Sequence, residues 1–222
     1  VAGVLVDPQS EPGYLGYPGK LELVELPEEW RELLERARGL FVDGWIEYPE
    51  MAGVNLAALR QVQKCGGATF FDPGPGNPRQ DNSWQQEAAA LSTVILATES
   101  EALKLSGQAD RDAAAAALLA DATELVVINL GSDGCVLYTR EAVFEAPGLP
   151  LKAVDATGAG DSLAGAIMYG YLNDLPLEAL GILANATGNA KVLKKGTGHQ
   201  VPTTAEIRAV LEQFKLKVSG WH

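Results

Sequence analysis

Residues 155–161, with the sequence Asp-Ala-Thr-Gly-Ala-Gly-Asp, combine the groups that anion chemistry requires. The flanking apolar runs predict a strand at residues 151–154, then a tight glycine turn and a helix. Backbone N–H groups in the first turn of a helix lack partners and lie at its positive end, where phosphate binds. Asp161 lies in that turn, and its carboxylate could accept a proton from a hydroxyl beside the phosphate. The same pattern also suits a plain helix start in which Asp161 only complements the dipole.

Thr98 and Glu101 follow the apolar run at residues 94–97, so a predicted strand delivers them at its carboxyl end. Such groups could hold the waters of a phosphate-bound Mg²⁺, which keeps several waters in protein sites. A threonine three residues before a glutamate is equally the pattern of a capping box at a helix start. The two roles do not exclude each other.

Three other stretches are open to both a structural and a functional interpretation. The glycine turn at residues 131–134 joins two apolar runs, which is typical of a hairpin, and it could also form a wall against a nucleotide. The small residues at 184–190 permit close packing on a neighbouring element or leave a slot for a flat ring. His199 lies in the loop at residues 196–202 and is expected at the surface rather than as a base.

Strands and helices alternate along most of the chain, which predicts a mostly parallel sheet with helices on both faces. The strands in succession between residues 125 and 154 predict an antiparallel portion at one side. Ligands of such sheets bind at the carboxyl ends of strands, where the polar stretches lie. The predicted strands are residues 40–42, 68–71, 94–96, 125–128, 135–138, 143–145 and 151–154. The predicted helices are residues 28–38, 52–64, 84–91, 101–105, 112–119, 163–172, 177–193 and 204–216.

Residues 1–26 differ from the rest of the chain, because short β-like runs at residues 4–6 and 21–24 stand among prolines and glycines. This composition favours a hairpin or a flap over a core element. We therefore divide the chain into residues 1–26 and an α/β domain at residues 27–222. The sequence opens without an initiating Met, so we expect a processed or incomplete polypeptide.

Composition narrows the classes of function. The formal net charge of -12 disfavours a nucleic-acid partner, because phosphates would be repelled over most of the surface. A membrane partner is not expected either, since we find no apolar run long enough to span a bilayer. Cys65 and Cys135 have neither the spacing of a zinc site nor that of a disulfide framework. This cysteine usage fits a reducing compartment, the cytoplasm or an organelle interior, plastids included.

Taken in this order, these stretches resemble the ribokinase-like, or pfkB, family of carbohydrate kinases. Residues 155–161 are similar to the family signature Asp-Thr-x-Gly-Ala-Gly-Asp, with Ala156 in place of its second residue. The turn at residues 131–134 is similar to the Gly-x-x-Gly turn on the ATP side. The spacing of Asn185, Gly196 and Pro202 is similar to that of the adenine-side helix and the loop after it.

The resemblance implies a three-layer α/β/α fold with a mostly parallel central sheet flanked by helices. It begins at roughly the lid strands, so residues 1–26 would be the remnant of a β lid. The N-terminal portion of the family, with its Gly-Gly substrate signature, has no counterpart in this sequence. Since most residues that would contact the phosphate acceptor belong to that portion, the acceptor is not determined.

The resemblance also implies roles for individual residues. Asp161 would be the catalytic base, and the amides of Gly158, Ala159 and Gly160 would form the anion hole for the transferred phosphoryl group. The residues implied in ATP binding are Asn129, Gly131, Gly134 and Asn185. Asn129 stands where many members have Thr.

Two cation sites follow from the same resemblance. Glu101 matches the glutamate of an Asn-x-x-Glu magnesium motif, and Thr98 stands where that motif has Asn. Asp155 and Thr157 match positions that bind a monovalent cation such as K⁺ in many members, and the Gly196 carbonyl oxygen would be a further ligand. The implied cofactors are therefore ATP, Mg²⁺ and a potassium ion.

The implied function is transfer of the ATP γ-phosphate to a hydroxyl of a small sugar or nucleoside. An alternative is a catalytically inactive, fructokinase-like structural or regulatory subunit of a larger complex. The departure at Thr98 and the absence of a counterpart of the N-terminal portion motivate it. A third interpretation is a regulator that binds nucleotide without an acceptor pocket. Lid strands of this family often pair between subunits, so the β-like start is compatible with a homodimer.

Overall fold

The computed structural model describes residues 2–6, 12–16, 25–45, 50–76, 82–119 and 122–221, the first two segments by their backbone. Its strands are β1 (Ala2–Val6), β2 (Pro12–Gly16), β3 (Gly39–Asp43), β4 (Ala68–Asp72), β5 (Val94–Thr98), β6 (Leu125–Asn129), β7 (Gly134–Tyr138) and β8 (Val143–Pro147). Its helices are α1 (Glu28–Leu34), α2 (Glu50–Lys64), α3 (Trp84–Ala90), α4 (Glu99–Ser106), α5 (Arg111–Leu118), α6 (Ala159–Leu172), α7 (Leu177–Val192) and α8 (Thr204–Gln213). Short 3₁₀ turns lie at Gly131–Asp133 and Gly198–Gln200.

Six strands form one sheet in the order β3, β4, β5, β6, β7, β8. The first three neighbouring pairs are parallel. In this register Asp43 lies beside Asp72, and Thr98 lies beside Asn129, so the polar residues that end these strands share one edge. The predicted mostly parallel α/β architecture is confirmed. Strands β1 and β2 form a separate antiparallel hairpin, as expected for the first residues.

Two compact units make up the chain. The sheet unit comprises Lys20–Leu130 and Val136–Val143, and the helical unit comprises Val1–Gly19, Gly131–Cys135 and Phe144–His222. The division at residue 26 stays a prediction, and the predicted strand at residues 21–24 lies outside the described residues. Among the residues that the structure describes, no helix is long and apolar enough to cross a membrane.

The core of the sheet unit lies on both faces of its strands. Consecutive residues of β4, β5 and β6 are buried, which requires cover on each face. Apolar side chains of α2, α3, α4 and α5 join this core. Phe71 and Trp84 meet edge to face with ring centroids 5.8 Å apart, a geometry that aromatic pairs prefer. Thr69 of β4 is also buried, and its hydroxyl donates a hydrogen bond to the Leu91 carbonyl oxygen at 2.8 Å.

Helices α6 and α7 of the helical unit pack against each other, and small residues lie in their contact. A side chain at Gly188 would begin 3.5 Å from the Ala159 carbonyl oxygen. On another face of α7, Ala186 and Ala190 pack with Val210 and Leu211 of α8. The structure therefore bears out the packing interpretation of the small residues at 184–190.

The predicted strand at residues 151–154 is wrong. The N–H groups of Val154 and Asp155 both donate to the Val192 carbonyl, at 2.7 and 3.2 Å, so this segment is bound to the end of α7. Val154 is 55% exposed, which a core strand would not allow. The apolar run therefore reaches the glycine turn as an irregular connection that α7 holds.

The first predicted helix is also shorter than its pattern indicates. Helix α1 ends at Leu34, and Gly39 begins β3 instead of closing the helix. Its predicted apolar face is largely uncovered in this chain, since Trp30 is 46% exposed and Leu33 60% exposed.

Alanine substitutions at two glycines, one in the turn at residues 131–134 and one in α6, are expected to differ in their effect on stability. A methyl group at Gly134, which has φ 100°, would overlap the Ala146 carbonyl oxygen, whereas one at Gly165 in α6 meets nothing within 4 Å. We expect Gly134→Ala to lower the free energy of unfolding by roughly 2 kcal/mol or more. Gly165→Ala should leave it unchanged or raise it by up to about 1 kcal/mol. Urea unfolding of the two variants measures both changes in free energy. Equal effects would contradict the tight contact of Gly134 with the Ala146 carbonyl oxygen.

Candidate functional site

The N-terminus of α6 is the centre of the candidate site. Gly158 is the residue before the helix and has φ 80° and ψ 10°, a left-handed conformation that favours glycine. The N–H of Ala159 donates to the Ala156 carbonyl at 3.1 Å. The hydrogen bonds of the described residues give no acceptor to the N–H groups of Gly158 and Gly160. These two donors are therefore available to an anion.

The absence of a side chain at Gly158 leaves a space that three groups border. A Cβ there would lie 3.4 Å from Thr197 Cγ2, 3.5 Å from Lys191 Cε and 3.7 Å from Asp161 Oδ2. Asp161 is the third residue of α6 and is exposed. The turn thus brings free amide donors and a solvent-accessible carboxylate together, as the sequence predicted.

Asp155 anchors this turn from below the surface. Its carboxylate is 6% exposed and accepts two backbone hydrogen bonds, from the Gly196 N–H to Oδ2 at 2.8 Å and from the Thr157 N–H to Oδ1 at 2.9 Å. The Gly196 N–H above all, then Thr157 and the charge of Lys191, lower the pKa of Asp155 to about 2. Asp155 is therefore a carboxylate at neutral pH, and it ties the turn to the loop after α7.

A cavity of about 440 Å³ opens beside Asp161. Its wall includes Ser162 and Tyr169 of α6, Thr187 of α7 and Trp221 near the end of the chain. This volume is within the range of small-molecule sites. The cavity gives an organic ligand access to the Asp161 carboxylate.

Asn185 has a structural task in this chain. Its side-chain N–H donates to the Pro147 carbonyl at 2.8 Å, and its Oδ1 accepts from Asn189 at 3.0 Å. The side chain is buried and fastens α7 to the segment after β8. His199 is exposed, which confirms that it is a surface residue.

In the sheet unit, Thr98 and Glu101 form the predicted capping box at the start of α4. The Thr98 N–H donates to Glu101 Oε2 at 2.7 Å, and Thr98 Oγ1 accepts from the Glu101 N–H at 3.4 Å. A carboxylate has about four acceptor positions, so the cap leaves capacity for the waters of a metal ion. The described residues hold no cluster of three or more His, Cys, Asp or Glu side chains that could bind a metal. A metal here would therefore depend on water and ligand oxygens.

Comparison with known proteins decides the family. The model for pfkB family carbohydrate kinases matches residues 9–204, which is well over half of the chain. The chain belongs to the pfkB family of carbohydrate kinases. Mouse ribokinase is 32% identical over 166 residues, which are 71% of this chain and 50% of that protein. The chain spans about half the length of the curated relatives that it matches.

Solved structures show the same fold for this pfkB chain. Arabidopsis thaliana ribokinase, complexed with ribose and ATP, superposes with a TM-score of 0.78 at 20% identity and covers 95% of this chain and 68% of its own. A double mutant of Vibrio cholerae fructokinase, in its fructose, ADP and potassium ion bound form, superposes with a TM-score of 0.72 at 22% identity. The match covers 95% of this chain and 72% of the fructokinase chain. At these identities the likeness shows the fold alone.

Sequence reasoning missed two features of this pfkB chain. The first is Asp43, which ends β3 and accepts the Trp45 N–H. It lies beside Asp72, which ends the parallel strand β4 and accepts the Gly74 N–H. The loop that begins at Asp72 is predicted from its Pro and Gly content either to line a site or to be a structural turn, whereas Asp43 escaped the prediction although it directly follows an apolar run. Lys191 is the second omission, because it is fully buried beside the α6 turn although its place in the last turn of α7 suggests a surface cation.

The low pKa of Asp155 predicts acid-dependent stability. A carboxyl group with a pKa of about 2 when folded and roughly 3.9 when unfolded contributes stability above pH 4, and that contribution is lost as the pH falls towards 2. We expect Asp155→Asn to be less stable than the wild type at pH 6, with a smaller difference at pH 3. Urea unfolding at pH 6 and pH 3 measures this difference in the free energy of unfolding. The control is Glu212→Gln, which removes an exposed carboxylate of α8. A difference that does not depend on pH would contradict the assigned state of Asp155.

Proposed function

We propose that this chain is the nucleotide-binding and catalytic part of a carbohydrate kinase, which transfers the γ-phosphate of ATP to a hydroxyl of a small sugar or nucleoside. The observation that carries the proposal is the turn before α6, where the amides of Gly158 and Gly160 lie near the Asp161 carboxylate. Membership of the pfkB family supports it. Mouse ribokinase and the Arabidopsis ribokinase complexed with ribose and ATP indicate the class of substrates.

The roles of the turn follow from the needs of phosphoryl transfer, which are positioning and stabilisation of charge. The Gly158 and Gly160 amides would bind the oxygens of the transferred group, and the Ala159 amide would join them if its bond within the turn opens. Loss of one such donor costs on the order of 10²-fold in rate. Asp161 would accept the proton of the attacking hydroxyl, and its exposure leaves it reachable from the adjoining cavity.

On the nucleotide side, the two glycines of the 131–134 turn have different tasks. Gly131 has φ 61° and open space around it, so its backbone can be approached by a ligand. Gly134 is pressed against the backbone of residues 146–148 and holds the turn. Asn129, at the end of β6, and Asn185 are proposed to contact ATP, Asn185 through the position that it gives to the segment after β8.

Magnesium would enter with ATP, and Glu101 and Thr98 would hold its waters. When bound, the ion would neutralise charge on the phosphates. Pairing of lid strands between two copies and residence in the cytoplasm or an organelle stay predictions, as does the absence of a nucleic-acid partner.

Asp161→Asn tests the proposed base. We expect kcat for a sugar or nucleoside acceptor to fall by about 10²-fold or more, since a positioned general base contributes on the order of 10² to 10⁴. ATP affinity should change little. Asp174→Asn, an exposed position just beyond the other end of α6, is the matched control and should keep full activity. The assay uses the longest natural polypeptide that contains this chain, with a panel of pentoses, hexoses and nucleosides.

The same assay separates the alternatives. Full turnover by Asp161→Asn would show that Asp161 is not the catalytic base. Binding of Mg-ATP by calorimetry without transfer to any acceptor would favour a nucleotide-sensing regulator. Failure to bind Mg-ATP would favour an inactive structural subunit and would overturn the proposed kinase.

Glu101→Gln separates the capping role from the magnesium role. Glutamine preserves the capping box, so the melting temperature should stay within about 2 °C. The charge is lost, so the Mg²⁺ concentration for half-maximal activity should rise by about tenfold, as for outer ligands of metal sites. An unchanged magnesium requirement would show that Glu101 serves only as a cap.

A further inference from the structure

The loop at residues 196–202, which follows α7, is fastened at both ends although most of it is exposed. At its first end the Gly196 N–H donates to Asp155 Oδ2 at 2.8 Å. At its last end the Lys194 ammonium donates to the Val201 carbonyl oxygen at 3.1 Å. The residues between these two ends are exposed, so polar contacts rather than burial hold the loop in place.

Lys194 is itself held from two sides. Its carbonyl oxygen accepts a hydrogen bond from the buried Lys191 ammonium at 3.3 Å, and its own ammonium donates to Glu206 Oε2 at 3.0 Å. The same carboxylate oxygen accepts the Thr203 N–H at 2.6 Å in the capping box of α8. The Thr203 N–H above all, then the Lys194 ammonium, lower the pKa of Glu206 to about 2, so Glu206 is charged at neutral pH. The Lys194 side chain therefore joins the end of α7 to the last part of the loop and to the start of α8.

The two ends of this loop border different parts of the candidate site. The first end lies beside the α6 turn, since Thr197 Cγ2 is 3.4 Å from the point where a Gly158 Cβ would stand. At the last end, Val201 and Pro202 line the cavity that opens beside Asp161. The carboxylate below the turn therefore anchors one end of the loop, and the ammonium at the end of α7 anchors the end that forms the cavity wall.

We propose that Lys194 is a positioning residue, which holds the Val201 end of the loop as a wall of the cavity and so sets the affinity for the phosphate acceptor. Neither Lys194 nor Glu206 lines the cavity, so Lys194 acts through Val201. A wall that is already in place spares the ligand the cost of ordering it. The effect on the acceptor rests on the proposed kinase function, whereas the effect on the loop does not.

The plainer interpretation is that Lys194 and Glu206 only stabilise the start of α8. Ion pairs at a protein surface usually contribute little to stability. Lys194 differs from such a pair because its ammonium also binds the Val201 carbonyl oxygen, which does not belong to α8. Only this second contact can control the loop, so variants that separate the order of the loop from the stability of the helix decide between the two interpretations.

The first test measures hydrogen exchange in the longest natural polypeptide that contains this chain, and it needs no activity. The amides of Gln200 and Val201 report on the loop, because both donate to carbonyls within it. We expect Lys194→Met to exchange these amides roughly tenfold faster, because a charged donor is lost, and to change α8 by less than about twofold. Lys194→Arg keeps the charge and the donors and should stay within about threefold of the wild type. Lys195→Met, at an exposed neighbour, is the control and should exchange like the wild type.

Equal exchange of the loop amides in Lys194→Met and in the wild type would overturn the proposal. An increase of the same size in the loop and in α8 would also overturn it, because Lys194 would then only stabilise the helix. Neither outcome depends on turnover, so this test remains decisive if the kinase function itself fails.

The second test measures turnover of the same polypeptide with Mg-ATP. Lys194→Met should raise KM for the acceptor by roughly fivefold or more and leave kcat and KM for Mg-ATP within about twofold, which is the pattern of lost ground-state binding. The anchor at Asp155 is unchanged in this variant, so the end of the loop beside the α6 turn stays in place. Lys194→Arg should restore KM for the acceptor, and Lys195→Met should not change it.

An acceptor KM that Lys194→Met leaves unchanged would overturn the positioning role, whether or not kcat falls. A wild type that binds Mg-ATP but phosphorylates no acceptor would overturn the kinase function, and the hydrogen exchange of the loop would still decide the role of Lys194.

Discussion

The hydrogen bonds of the buried Asp155 carboxylate set the geometry on which the candidate site depends. One comes from the turn itself, through Thr157, and the other from Gly196 in the loop after α7. Because a buried carboxylate must keep its donors, the two segments cannot separate without leaving a charge unsatisfied. The first amides of α6 therefore have a fixed direction. Preorganised donors of this kind stabilise developing charge without rearrangement during a reaction.

The backbone conformation of Gly158 makes this arrangement possible. Its φ of 80° is left-handed, and its missing side chain leaves the space that Lys191, Thr197 and Asp161 border. Ala156, where the related signature has Thr, is exposed and contributes its carbonyl to the Ala159 N–H. Since a backbone atom performs that task, the departure from the signature leaves the hydrogen bonds of the turn intact.

Local patterns predicted the parts of the structure that local interactions decide. The capping box of Thr98 and Glu101 and the first-turn position of Asp161 depend on spacings of three residues or fewer, which a sequence shows directly. The strand predicted at residues 151–154 failed because its backbone is bound to Val192, about forty residues later. The burial of Lys191 escaped notice for the same reason, since the turn that covers it precedes it by more than thirty residues. Contacts between residues so far apart along the chain produce no periodic pattern in the sequence.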